Sequence, residues 1–388
     1  MDFTPSDERR MLGDTLGRYL ATHYGFATRQ RIAGSPEGFS REAWGAMAEL
    51  GMIGALFGEE AGGYGGAGFD IATVFEAIGR AIVVEPFLGT LMAGRLLTRA
   101  CHHHDGLVTD IMAGSRIATA ALYEAPGRYD YANVVTRAEP DGVGWRLTGA
   151  KAVVPQIEAA DVLIVSARTA GCPGRPDGLS LFAVPRTARG VAVRGYSMID
   201  GGRGGELDLS DVALDGTALV GREGEALPLI ERAVAAGIVA LSYEAVGALA
   251  VVRDATLEHL RTRVQFGAPI GRSQVLQHRM ATVEIEIEQA RSAAFNAAAA
   301  LDGDRHARER AASAAKYTIG RVGTLVAEEA IQMHGGIGMT WDLPLSHYAK
   351  RLVMIDHQLG DEDFHLQRYI DLGHAGPPAV TPEDSAEA

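Results

Sequence analysis

Cysteine is almost missing from this chain: Cys101 and Cys172 are the two among 388 residues. Neither sits in a Cys-x-x-Cys pair or at a ligand spacing from histidine, which excludes a disulfide framework and a thiolate zinc site. Positive charge is also short, with 36 Lys and Arg against 49 Asp and Glu and a formal net charge of −13. A nucleic-acid surface needs a concentrated basic patch, so that class is excluded, whereas a small anion held by local arginines is not. No run of about 18 apolar residues occurs, and the opening Met1-Asp-Phe-Thr-Pro-Ser-Asp-Glu-Arg-Arg10 has no apolar signal core. A soluble cytoplasmic protein is expected. His102, His103 and His104 precede Asp105, but consecutive side chains point in different directions and make a poor metal cage.

What is present is enough apolar material, 47% of 388 residues, for two or three cooperating units. Residues 1–115 read as helical, with helices expected from Ser6 to Tyr24, Arg41 to Leu50, Phe69 to Val84, Leu88 to Thr98 and Asp105 to Ala113. Gly58 to Gly68 is too glycine-rich for a helix and is expected to be a flexible loop. Across 116–225 the pattern shortens to strand-like runs: Ile117–Leu122, Val134–Thr136, Gly144–Thr148, Val162–Ala167, Ser180–Val184, Val191–Gly195 and Leu207–Val212. Turn clusters separate them and no helix intervenes, which indicates an antiparallel sheet or barrel. Residues 226–374 return to long helical stripes over Leu227–Arg263, Gln274–Leu301, Ala307–Met333 and Glu362–Leu372, the pattern of a four-helix bundle. The acidic, Pro- and Ala-rich stretch 375–388 is expected to be a flexible tail.

Two motifs in the last unit carry chemistry. Arg263-Val-Gln-Phe-Gly-Ala-Pro-Ile-Gly-Arg-Ser-Gln274 places an arginine after a helix, a phenylalanine three residues on and a glutamine at the next helix start. That set can grip an anionic pyrophosphate and cover an apolar ring. Gln332-Met-His-Gly-Gly-Ile-Gly338 ends a helix in glycines, which let backbone approach a ligand where a Cβ would collide. The plainer reading is a helix-connecting turn, with Arg263 a C-terminal cation and Gly267 and Gly271 only turning the chain.

With Leu50-Gly-Met-Ile-Gly54 and Gly62-Gly-Tyr-Gly-Gly66 ahead of them, these motifs resemble the acyl-CoA dehydrogenase family along nearly the whole chain. The resemblance implies an α+β fold: an N-terminal helical domain, a central antiparallel β-barrel domain and a C-terminal four-helix bundle. It implies FAD, with Arg263, Phe266, Gln274, Gln332, Gly335 and Gly336 holding the adenosine pyrophosphate of a flavin bound mainly by a neighbouring subunit. It also implies an acyl-CoA substrate and an electron-transferring flavoprotein as acceptor.

Three departures stand against that pattern. Where the family carries a Thr-Glu-Pro-x-x-Gly-Ser-Asp type segment, this chain has Leu122-Tyr-Glu-Ala-Pro-Gly-Arg-Tyr-Asp130. Where a Trp-Ile-Thr type segment backs the flavin, it has Val153-Val-Pro155, and proline offers neither hydroxyl nor N–H. One family position for the catalytic base falls on Gly237; the other falls on Leu359 or Asp361, depending on whether the count runs from Pro344 or back from Gln367-Arg368. Asp361 is therefore the candidate base, with helix capping as the competing role. Small residues at Ala235, Ala236 and Gly237 suggest room for a bulky acyl group. The pattern resembles small subunits of heteromeric enzymes, such as those for pimeloyl-CoA and steroid side chains, in which a second acyl-CoA dehydrogenase chain of an α2β2 complex completes the site. A self-sufficient homo-oligomer using Asp361, or a non-catalytic structural subunit, are the alternatives.

Overall fold

The computed structural model describes residues 6–98 and 104–375. His102, His103 and the tail expected over 375–388 lie outside them, except that Ala375 ends the final helix. The N-terminal unit holds α1 (Asp7–His23), α2 (Phe26–Ala33), α3 (Arg41–Glu49), α4 (Gly68–Ala81), α5 (Phe87–Thr98) and α6 (Asp105–Met112). Ser6 and Ser40 cap α1 and α3 by accepting from the amides of Arg9 and Ala43. The short α2 was not expected, because Arg29, Gln30 and Arg31 interrupt its apolar stripe. The glycine-rich loop is pinned rather than loose: the amides of Tyr64, Gly65 and Gly66 donate to the carbonyls of Gly54, Phe57 and Ala55.

The middle unit is one sheet of eight strands: β1 (Ala118–Ala121), β2 (Arg137–Asp141), β3 (Gly144–Pro155), β4 (Val162–Arg168), β5 (Leu179–Pro185), β6 (Val191–Ser197), β7 (Arg203–Leu214) and β8 (Leu219–Val220). The order is β6-β7-β3-β2-β4-β5-β8, antiparallel apart from two contacts. β1 runs parallel to β4 over Val162–Val165, and β2 joins the same edge of β4 at Arg168, also in parallel. The chain leaves that edge between them as residues 122–136. Val134–Thr136, expected as a strand, belongs to this excursion because the amides of Val135 and Thr136 donate to the Glu124 carboxylate and are lost to the ladder. Glu124 is held in turn by the fully buried Lys151, Nζ to Oε1 2.7 Å.

The C-terminal unit contains α7 (Leu227–Thr262), a two-residue-strand hairpin of β9 (Val264–Gln265) and β10 (Ala268–Pro269), α8 (Gln274–Ala300), α9 (Arg305–His334), α10 (Pro344–Asp356) and α11 (Glu362–Ala375). α10 adds a helix to the expected four, opened by Pro344 at its first turn, where the missing N–H costs nothing. α7 is long and apolar enough to cross a membrane, yet 94% of its most apolar window is buried within the protein, which makes it the central core helix. It crosses α4 at backbone distance. A Cβ on Gly79 would lie 1.9 Å from the Glu244 carbonyl oxygen, and one on Gly247 would lie 2.2 Å from that of Glu76. This reciprocal pair of glycines seats the N-terminal unit on the bundle.

Candidate functional site

The two motifs meet at one end of the bundle. Arg263 caps α7 in an extended conformation and feeds the β9–β10 hairpin, whose register pairs Val264 with Pro269 and Gln265 with Ala268. Phe266 (φ 50°) and Gly267 (φ 78°) form the turn, both left-handed, as a two-residue hairpin of the I′ type requires. A phenylalanine is strained there, and its ring is fully exposed. α9 ends at His334, and Gly335 (φ 69°, ψ −150°) turns the chain in a region open only to glycine. The ring of His259, one turn before Arg263, stacks on His334, centroids 4.3 Å apart, which places the two motifs side by side.

Among the described residues the side chains of Arg263, Gln274 and Gln332 have no hydrogen-bond or ion-pair partner and face solvent. A Cβ on Gly336 would meet nothing within 4 Å, so no packing in this chain requires glycine there. Ile337, Met339 and Trp341 continue the surface as exposed apolar side chains. A guanidinium, two amides, a bare glycine backbone and an exposed ring suit an anion with an aromatic ring attached. Phe266→Asn is expected to raise chain stability by about 0.5–1 kcal/mol, since Asn accepts the left-handed turn and Phe266 gives up no buried surface. Chemical denaturation checks this; an unchanged or lower midpoint would mean that the turn is not strained.

The crevice between the sheet and the bundle is closed by the chain itself. The 122–136 excursion carries Tyr123, Tyr129 and Tyr131 onto the loop between α10 and α11. Tyr123 and Tyr131 hydroxyls lie 2.8 Å apart, Tyr131 donates to the Leu359 carbonyl, and Tyr129 donates to that of His357. Burial pushes the Tyr123 and Tyr131 hydroxyls well above their ordinary pKa, so both stay protonated donors. Arg128 adds an ion pair to Asp361 at 3.2 Å. From below, buried Lys316 donates to the Asp356 and Gly360 carbonyls, and buried His365 sits 2.9 Å from the Leu359 oxygen. Burial lowers Lys316 to about 8 and His365 to about 3.

Both base positions are answered by this loop. Leu359 (φ 59°) is buried. A Cβ on Gly237 would strike its Cδ1 at 2.6 Å and Met92 Sδ at 3.2 Å, so the expected room beside Ala235–Gly237 is filled by Leu359 and Met92. Asp361 caps α11, accepting from the Phe364 amide at 2.9 Å, with its other oxygen on Arg128. Val153, in the segment that the resemblance aligns with the flavin, sits in a β-bulge at φ 52°, and the Pro155 carbonyl accepts from the Thr119 hydroxyl. Nearby, Arg351 of α10 binds Glu244 of α7 through both carboxylate oxygens (2.5 and 2.8 Å), Asp200 of the β6–β7 turn (2.9 Å) and Gln358 (2.9 Å). Arg29 of α2 donates to the Asp200 carbonyl. This buried network joins all three units and leaves a void of about 50 Å³.

Comparison with known proteins matches the acyl-CoA dehydrogenase N-terminal domain over residues 6–101, the middle domain over 119–212 and the C-terminal domain over 227–367. The chain belongs to the acyl-CoA dehydrogenase family. Acyl-CoA dehydrogenase IpdE2 of Mycobacterium tuberculosis is 30% identical over 350 residues, covering 90% of this chain and 92% of that protein. A variant of the Tcur3481–Tcur3483 steroid ACAD superposes with TM-score 0.86 at 30% identity, covering 96% of this chain and 99% of the other. The ChsE4–ChsE5 complex from Mycobacterium tuberculosis gives TM-score 0.88 at 25% identity, covering 98% and 100%.

The two motifs set apart in the sequence lie side by side in the fold, and Asp361 caps a helix, the role weighed there against catalysis. It missed Tyr131, Lys316, His365 and the His259–His334 stack. Lys316 had left a signal, a lone charge on the apolar stripe of Ala312, Ala315 and Ile319.

Proposed function

We propose that this acyl-CoA dehydrogenase chain is the clamp-bearing subunit of a heteromeric, α2β2 enzyme. A second chain of the same family supplies the open flavin crevice and the base. Arg263, Phe266, Gln274, Gln332, Gly335 and Gly336 hold the adenosine pyrophosphate of FAD across the interface. One observation carries the reading: among the described residues the side chains of Arg263, Gln274 and Gln332 have no hydrogen-bond or ion-pair partner, while buried Leu359 is covered by Tyr131, itself bonded to Tyr123. When bound, FAD would supply the hydride acceptor needed to oxidise an acyl thioester at its α and β carbons to the trans-2-enoyl-CoA, with the partner's base taking the α proton. This chain's part is to fix the anionic end of the cofactor; the reduced enzyme passes electrons to an electron-transferring flavoprotein. The steroid ACAD among the similar structures supports a bulky acyl chain, such as a steroid side chain, and a cytoplasmic setting suits this chemistry.

Purification of the chain alone and co-expressed with a second acyl-CoA dehydrogenase chain tests the reading. The lone chain is expected to hold no FAD, and the complex to hold one FAD per pair of chains. Stoichiometric FAD and acyl-CoA oxidation by the lone chain would overturn it. In the complex, Asp361→Asn is expected to leave turnover within about twofold, because Asn caps a helix nearly as well as Asp. Abolished turnover with an intact flavin spectrum would instead make Asp361 the base.

A further inference from the structure

Two histidines have no part in the clamp as drawn so far. His259 of α7 and His334 of α9 stack with centroids 4.3 Å apart and planes 23° from parallel. The His259 carbonyl accepts the Arg263 amide at 2.9 Å, and His334 directly precedes Gly335. His334 Nδ1 lies 2.9 Å from the Ala330 carbonyl, which fixes that nitrogen as the donor. Each half of the clamp is therefore adjacent to one imidazole, and the stack joins the two helix ends that carry them.

We propose that His259 and His334 are positioning residues of the clamp, a stacked pair that holds Arg263 at the correct separation from Gly335 and Gly336 for a diphosphate. The inference rests on the clamp reading above. A neutral pair fits the surroundings. Burial lowers His259, with the facing imidazole and Arg263 adding to the effect, and burial lowers His334 despite its bond to Ala330. The charged or titratable groups bearing on the pair are Arg263, which follows α7, and the His334 ring of α9, both acting on His259. At neutral pH two uncharged rings stack. In acid, a proton on each sets two cations face to face beside Arg263, and the clamp opens.

The test uses the co-expressed complex, with retained FAD measured by flavin absorbance after gel filtration from mildly acidic to mildly alkaline pH. His259→Ala and His334→Ala are each expected to weaken FAD retention about 5- to 10-fold at neutral pH, the worth of a stacked ring pair. His259→Phe keeps a stack without a second charge. It should match the parent at neutral pH and keep FAD in acid where the parent releases it. A His259→Ala complex that binds FAD like the parent, or a His259→Phe complex that releases it in parallel in acid, would overturn the proposal. The Phe variant carries the test if the Ala variants fail to fold. Arg263→Ala separates the two levels: flavin lost there but kept in His259→Ala sinks only the histidine role, and flavin kept in both sinks the clamp.

Discussion

Arg263→Ala in the assembled enzyme is expected to strip the flavin and leave the fold of this chain untouched. The Arg263 side chain has no partner among the described residues, so its loss should change chain stability by no more than about 0.5 kcal/mol. Toward a pyrophosphate, a guanidinium makes short, charge-assisted bonds, and removing one leaves an anion partly unpaired in a closed interface. A loss of about 2–4 kcal/mol follows, roughly 30- to 1,000-fold in FAD affinity. Arg263→Lys should fall between, since it keeps the charge and loses the planar fork. Visible absorbance of the gel-filtered complex and a melting curve of the chain measure the two halves. A full flavin complement in the Ala variant would remove Arg263 from the clamp.

Arg351→Met is the largest expected loss of stability. Arg351 is held charged: burial works against the guanidinium, but Glu244 and Asp200 outweigh it and raise its pKa. Deleting it strands the buried Glu244 carboxylate, whose ion pair is Arg351, and leaves buried Asp200 with Arg29 as its remaining nearby cation. Removing one partner of such a set costs about 3–5 kcal/mol. Because the network spans α2, the β6–β7 turn, α7 and α10, the loss should appear in the cooperative unfolding of the whole chain in denaturant. Arg351→Met with Glu244→Leu should recover part of it, as an apolar pair replaces an ionic one. If Arg351→Met unfolds at the parent's midpoint, water reaches the network and the charges are not truly buried.

The sequence exposed the parts of this protein that depend on period and punctuation. α7, α8 and α9 began and ended within two residues of expectation, since long stripes and a glycine stop encode them locally. The proposed clamp was legible because its residues lie in two contiguous motifs. The closed crevice was not, because it comes from residues far apart in the chain: Tyr131 meets Leu359 across 228 positions. The strand expected at Val134–Thr136 failed for a more local reason: the amides of Val135 and Thr136 are claimed by the Glu124 side chain, a bond that alternation does not report. Parallel pairing of β1 with β4 was also out of reach, as alternation reports a strand's faces but not its neighbour. Gly237 read as empty space because a missing side chain says nothing about what fills the gap, here Leu359.

The tyrosine closure has an evolutionary consequence. Replacing Tyr131 alone by a small residue strands the Tyr123 hydroxyl and opens a hole, and shrinking Leu359 alone leaves one between Met92 and Gly237. Each intermediate is less stable than either a filled or a ligand-occupied crevice, by about 2–5 kcal/mol per large-to-small change. Opening a pocket here thus demands several substitutions together, so under the proposed two-chain arrangement the filled crevice acts as a ratchet that holds this chain to its partner.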